Sequence, residues 1–289
     1  MLDPTPGPPP PRRLRYIVIP HPDDEFSAWS MVQRRPDLYM VFVLLTHGEL
    51  TTFGDGHGLQ EHLGERVPQP QPFTGAGTWR LRGQRLDSWH TFLDAMAAVD
   101  ATLDVPVSIP SPSSSFELFV GARSARVVFD LGDATLTPAS VSEAVHEARE
   151  LRRVHLPVHE ELDMVAAGYW NRHDPGSLRY VHRDHRAVHR ALWSVDHGLP
   201  GPQWGRTTHG DPDAAAHGTT ATVDLDLYEA AMAVDPPPAD PAVNPGARRS
   251  GAFQHCYAWL QDAYWAAGER DDASIFSRAQ TFWARFGTA

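Results

Sequence analysis

The stretch "YIVIPHPDDEFSAW", residues 16–29, places His21, Asp23, Asp24 and Glu25 directly after an apolar run. Ionisable groups at the end of a buried segment are costly unless they are solvated or paired. For two adjacent carboxylates beside an imidazole, the simplest partner is a divalent cation. Asp24 lies three residues beyond His21 at the start of a helix and can turn back towards it, and Pro22 narrows the backbone between them. A cation needs further ligands, and "VHRDH" at 181–185 offers His182 and His185. One imidazole from that segment, with His21 and Asp24, gives two histidines and a carboxylate with positions left open, a common donor set for catalytic zinc. Zinc lowers the pKa of a water towards neutrality, and Asp23, outside the donor set, is placed to take its proton. The same residues allow another reading. His21, Asp23 and a distant histidine match the facial set of non-haem iron oxygenases. His185 and His189, four apart on one helical face, form a further candidate pair.

"PHPDDE" followed by "HxDH", with "LLTHGE" (44–49) between them, resembles the PIG-L/LmbE family of zinc-dependent N-acetylglucosaminyl deacetylases over about residues 14 to 196. The two motifs in that order carry the resemblance; either alone is weak. It implies a Rossmann-like, three-layer α/β fold and one zinc bound by His21, Asp24 and His185. Asp23 would be the general base. His182 would act as an imidazolium, steadying the oxyanion and protonating the amine, with Asp184 orienting it. Arg85 would contact substrate. The chain departs from the family in having "FSAWS" after the first motif, where small, Gly-rich residues are usual, and Ser88 where Glu is common. The implied activity is removal of an N-acyl group from a glucosamine-type amino sugar. The long loop at 48–80 and the large C-terminal portion favour a bulky secondary metabolite, such as a glycopeptide antibiotic intermediate, as the acceptor. A small glucosaminyl-inositol conjugate is the alternative, and a carbohydrate-binding module without turnover is the non-enzymatic one. Asp23 and His182, both proton carriers, argue against the last.

The elements that must deliver these groups follow from apolar periodicity. "RLRYIVIP" (13–20) and "LYMVFVLLTH" (38–47) read as buried parallel strands joined by a helix. A helix is expected at 79–99, a strand at 104–110, a hairpin at 117–133, a helix at 138–152 opening on Pro138, and a strand at 153–158. A helix at 182–198 has Asp184 as a plausible N-cap and Gly198 as its stop. Beyond it come loops at 198–218 and 235–246, a strand in "TATVDLDL", and an aromatic helix near 253–267. Strands alternating with helices give an α/β class with a mainly parallel sheet. The division expected is a Pro-rich lead-in at 1–12, a catalytic core at 13–198 and a C-terminal extension at 199–289. Phe53, Phe73 and Trp79 could form an apolar lid, with His47, His57 and His62 near the loop, while Thr46 and Glu49 either line the site or end the strand.

Composition sets the outer limits. The chain of 289 residues can bury a substantial core, and its formal charge of −11 argues against binding nucleic acid or an anionic membrane. Every fixed basic side chain is Arg, and the single Cys256 excludes an intrachain disulfide or a CxxC metal site. No signal-peptide pattern opens the sequence, and "LYMVFVLL" is too short to cross a bilayer. The expectation is a cytoplasmic enzyme acting on a small-molecule glycoside.

Overall fold

The structure, a computed structural model, describes residues 8–50, 79–173, 182–208, 210–232 and 279–286. A nine-stranded sheet runs through it in the order β3-β4-β5-β2-β1-β6-β7-β9-β8. Its centre is β5 (Ser124–Phe129), β2 (Leu38–Leu44), β1 (Arg13–Ile19), β6 (Glu161–Ala166) and β7 (Gln203–Thr207), all parallel. β3 (Val107–Ile109) and β4 (Phe116–Val120) extend one edge antiparallel; β9 (Ala279–Arg285) and β8 (Thr219–Thr222) extend the other. The sheet is therefore mixed, with a parallel heart and antiparallel margins. It also runs across residue 198, since β7 pairs with β6.

Alternation along the central strands fills both faces, as expected for parallel strands covered on two sides. Ile17, Ile19, Met40, Phe42 and Leu44 pack with Phe26 and Trp29 and with Trp89, Phe92 and Met96 of α1 (Trp79–Val99). Tyr16, Val18, Val41 and Val43 pack on the other face against α2 (Pro138–Glu150) and α3 (Arg183–Ser194). Thr137 caps α2 through a reciprocal bond with Ser140, and Pro138 occupies its first turn. Two shorter helices follow, α4 (Pro212–His217) and α5 (Leu225–Met232). Among the described residues, no helix is long and apolar enough to cross a membrane.

The connections of β1 and β6 diverge. β1 leads into residues packed on one face, while the chain beyond its neighbour β6 arrives at α3 on the other. The carboxyl ends of adjacent strands whose connections diverge are where ligands of open α/β sheets bind.

Several expected elements differ. No strand forms at 153–158: a single 3₁₀ turn occupies Leu151–Arg153, Val154 is exposed, and Pro157 lacks a donor. The strand lies instead at β6, whose Glu161 and Asp163 disguise it in sequence; both are neutralised by arginines. The segment after β1 is a 3₁₀ helix, Asp24–Met31, which places Phe26 and Trp29 three apart on one face. The expected loop at 198–218 contains β7 and α4. "TATVDLDL" is strand only to Thr222, and α5 begins at Leu225. α3 ends at Ser194, short of Gly198. The lead-in at 1–7, the loop at 51–78 with Phe53, His57, His62 and Phe73, the loop at 235–246 and the helix near 253–267 lie outside the described residues, as does the side chain of Trp79.

Candidate metal centre

β1 delivers the first motif through a strained turn. Asp23 has φ 117° and ψ −24°, a left-handed conformation that costs a non-glycine residue about 1–3 kcal/mol. Local bonds hold it. Asp23 N–H donates to Glu25 Oε2 at 3.1 Å, His21 N–H to Asp24 Oδ2 at 3.1 Å, and Asp24 N–H to His21 O at 3.1 Å. Thr46, fully buried at the end of β2, donates to Pro20 O at 2.8 Å. The consequence is a separation of adjacent carboxylates. Asp24 lies against imidazoles, whereas Asp23 Oδ1 lies 3.2 Å from Arg85 Nη2, which also donates to Pro22 O at 2.5 Å. Asp24 is 4% exposed at its side chain and Asp23 22%, so only Asp23 has a path to solvent.

The second motif comes from the start of α3. His185 Nδ1 lies 3.1 Å from the Tyr169 carbonyl, which can only accept, so Nδ1 carries a proton. In the neutral ring Nε2 then bears a lone pair, and it faces Asp24 Oδ1 at 3.1 Å. His21 is arranged in the opposite sense. Its Nε2 lies 3.0 Å from Asp184 Oδ2 and 3.2 Å from Asp133 Oδ1, and its Nδ1 lies 3.1 Å from Asp24 Oδ2. Asp184 and Asp133 therefore favour the proton on Nε2 and leave Nδ1 for Asp24's side. Each ring thus turns a nitrogen to Asp24, His21 Nδ1 to Oδ2 and His185 Nε2 to Oδ1, contacts that only a proton or a cation can bridge. The donor set suits a divalent metal such as zinc. His182 stands beside it: nitrogens of His21, His182 and His185 lie within 4.8 Å of one another.

Electrostatics agree with the geometry. Burial opposes charge on His21, but hydrogen bonds to Asp133, Asp184 and Asp24 outweigh it and hold its pKa well above 6.5. Burial would raise Asp24, yet His185 and His21 hold it far below the usual carboxylate range. Asp133 is likewise lowered to about 2, His21 outweighing its burial. Asp23 is pushed up to about 6 by burial, with Arg85 opposing, so it is mostly ionised at neutral pH while retaining basicity. Burial and then Asp23 push Glu25 well above its ordinary value.

Two expectations for the second motif need correction. Asp184 does not cap α3; His182 does, its Nδ1 accepting from Asp184 N–H at 3.3 Å. The Asp184 carboxylate instead accepts from Ala134 N–H at 2.7 Å and Leu136 N–H at 3.1 Å while contacting His21. Its N–H reaches His182, and a carboxylate oxygen also lies within 4.8 Å of a His182 nitrogen. Nor is His182 held as an imidazolium: burial, then His21 and His185, lower its pKa to about 4. Of the remaining candidates, Arg85 meets Asp23 as described. His47 accepts from Arg82 Nε at 3.3 Å, and Glu49 Oε1 accepts from Asp133 N–H at 3.4 Å. The iron-type set built on Asp23 is not assembled, because Asp24 faces both rings. The His185–His189 pair is not assembled either: His189 Nε2 lies 2.7 Å from Gly168 O.

Asp133 and Gly168 escaped the sequence reading. Asp133 follows β5 in "FDLGD", and its position beyond a buried parallel strand was the available signal. Gly168 has φ +80°, and a Cβ there would come 3.1 Å from Pro20 and 3.2 Å from the His185 ring. Nothing in the local sequence distinguishes it from a turn glycine.

No family model matches the chain, and no curated protein matches it. Among solved structures it is similar to a triple mutant of the deacetylase Orf2, involved in the teicoplanin biosynthetic pathway. That similarity has 11% identity and a TM-score of 0.42, and covers 94% of this chain and 97% of that one. It is also similar to the zinc-inhibited form of teicoplanin deacetylase Orf2, at 10% identity and a TM-score of 0.38, with the same coverage of 94% and 97%.

Proposed function

We propose that this chain is a zinc-dependent hydrolase that removes an acyl group from the amide nitrogen of an amino sugar. The observation that carries the reading is the convergence of His21 Nδ1 and His185 Nε2 on Asp24, both at 3.1 Å. His21, Asp24 and His185 would hold the metal, which when bound supplies Lewis acidity to the acyl carbonyl and to a water. Asp23 accepts the water's proton. Its carboxylate is partly open, its pKa of about 6 suits a base working near neutrality, and Arg85 fixes its direction. His182, with Nδ1 accepting from backbone, has Nε2–H to offer the developing oxyanion, and the proton that Asp23 takes from the water is the one that passes to the leaving amine. Asp184 and Asp133 keep the His21 proton on Nε2.

The Rossmann-like, three-layer arrangement belongs to the same reading and is supported by apolar clusters on both faces of the parallel centre. We take the acceptor to be a bulky natural product carrying N-acetylglucosamine.

Metal analysis combined with a panel of N-acetylglucosaminyl compounds, scored for free amine and acetate, tests this. The purified chain should hold one zinc per molecule and release acetate from a large glycoside. Asp23→Asn should retain zinc and lose about 10²- to 10⁴-fold in turnover. Near-wild-type turnover by that variant would remove Asp23 as base. Cleavage confined to a glucosaminyl-inositol would overturn the choice of acceptor.

A further inference from the structure

We propose that His189, locked by Trp283 of the last strand, is a positioning residue that sets the His185 ligand through the Gly168–Tyr169 turn; the inference rests on the metal-centre reading above. An indole N–H only donates, so Trp283 Nε1–H, 3.3 Å from His189 Nδ1, makes that nitrogen an acceptor. The His189 proton therefore sits on Nε2, which donates to Gly168 O at 2.7 Å. Both ring nitrogens are satisfied in one neutral tautomer, in a side chain that is fully buried.

The carbonyl of the next residue, Tyr169, is the one that accepts from His185 Nδ1 at 3.1 Å. Two imidazoles one helical turn apart on α3 thus hold two consecutive carbonyls, one structural and one at the metal centre. On the other side of the turn, Gly168 N–H donates to Ser27 Oγ at 2.8 Å, and Ser27 donates to Asp24 O at 2.7 Å. The turn is therefore tied to both ligand-bearing segments. Ser27 belongs to the "FSAWS" stretch that departs from the small-residue pattern.

Trp283 reaches His189 because of what stands opposite it. β9 pairs Trp283 with Gly205 of β7, and any Cβ at Gly205 would fall inside the indole. Trp193 packs edge-on against the same indole, with ring centroids 4.9 Å apart. A strand nearly a hundred residues beyond the second motif thereby orients one of the motif's ligands, the kind of supporting bond whose loss typically weakens metal binding.

The test is zinc affinity of the full chain, measured by chelator competition on wild type, His189→Leu, His189→Gln and Trp283→Phe, with the melting temperature of each metal-free protein recorded alongside. His189→Leu should bind zinc about 10- to 100-fold more weakly. His189→Gln, whose amide can still donate to Gly168 O, should recover most of that loss, and Trp283→Phe should fall between. Equal affinity in wild type and His189→Leu, or equal losses in the Leu and Gln variants, would overturn the proposal and leave a packing role. Should His189→Leu fail to fold, Trp283→Phe decides: unchanged affinity there overturns it. A wild-type chain that binds no zinc would instead defeat the metal-centre reading itself, before any variant is compared.

Discussion

Two groups of buried charge lie at opposite ends of β1 and β6, and they are built on different principles. At the amino-terminal end, Arg15 donates Nε and Nη2 to the two Asp163 oxygens at 2.7 and 2.6 Å and Nη1 to Met31 O at 2.6 Å. Trp204 adds a bond to Asp163 at 3.1 Å, and Arg149 holds Glu161 through Nε and Nη2 at 2.7 and 2.8 Å. Each carboxylate there has a guanidinium of its own. At the carboxyl-terminal end, Asp23, Asp24, Glu25, Asp133 and Asp184 gather around His21 and His185, and Arg85 on Asp23 is the guanidinium paired with that set among the described residues. Similar side chains are buried at both ends. One set is closed by its own cations; the other is complete only with positive charge supplied by protonation or by a bound ion.

That contrast can be broken most forcefully at the closed end. Arg15→Met should lower unfolding free energy by about 3–5 kcal/mol, because Asp163 is left buried and unpaired. Chemical denaturation of Arg15→Met/Asp163→Leu should recover most of that loss. A cost below about 1 kcal/mol for the single variant would mean the pair is not closed.

The open end should respond to an added ion instead. Zinc at about one hundred times its dissociation constant should stabilise the chain by about 2.7 kcal/mol. His185→Ala should abolish that gain, while the Arg15→Met/Asp163→Leu protein should keep it. A third, smaller effect concerns pH. Burial would raise Glu161, but Arg149 outweighs it and holds the folded pKa below 4.5. Its contribution is therefore fully present above the unfolded value and lost as pH falls through the lowered folded one. Arg149→Met should cost about 1.5 kcal/mol near neutrality and much less in acid, as read from denaturation midpoints across pH. A cost that stays constant with pH would assign Arg149 to packing alone.

The smallest change is expected from Asp133→Asn. It removes a carboxylate that His21 and the Leu50 amide hold in its ionised form, so the metal-free protein should lose about 1 kcal/mol near neutrality and less in acid. Its zinc affinity should also fall, since His21 loses part of the support for its Nε2 proton. Strong destabilisation of the metal-free form would place Asp133 with the structural ion pairs.

These two ends were not equally legible. Local chemistry showed the open one: "HPDDE" and "HRDH" concentrate donors where apolar runs end, and the turn of Asp24 towards His21 follows from three-residue spacing. The closed one hid β6, because Glu161 and Asp163 read as solvent-facing until Arg149 and Arg15, far away in sequence, are seen against them. Similar non-locality concealed the direction of Asp184. Its position in the first turn of a helix suggests a cap, but the loop after β5 presents the Ala134 and Leu136 amides to it. β7 was missed because "QWGRT" has neither alternation nor an apolar run; its neighbours β6 and β9 supply the pairing. Gly205 and Trp283 acquire meaning only through strand register, which short-range patterns do not carry.

Diffraction at the zinc absorption edge, from crystals grown with the metal, would locate the ion itself. The expected result is one strong anomalous peak at coordination distance from His21 Nδ1, an Asp24 oxygen and His185 Nε2. A peak bound elsewhere, with His185 Nε2 still against Asp24 and no ion between them, would contradict it.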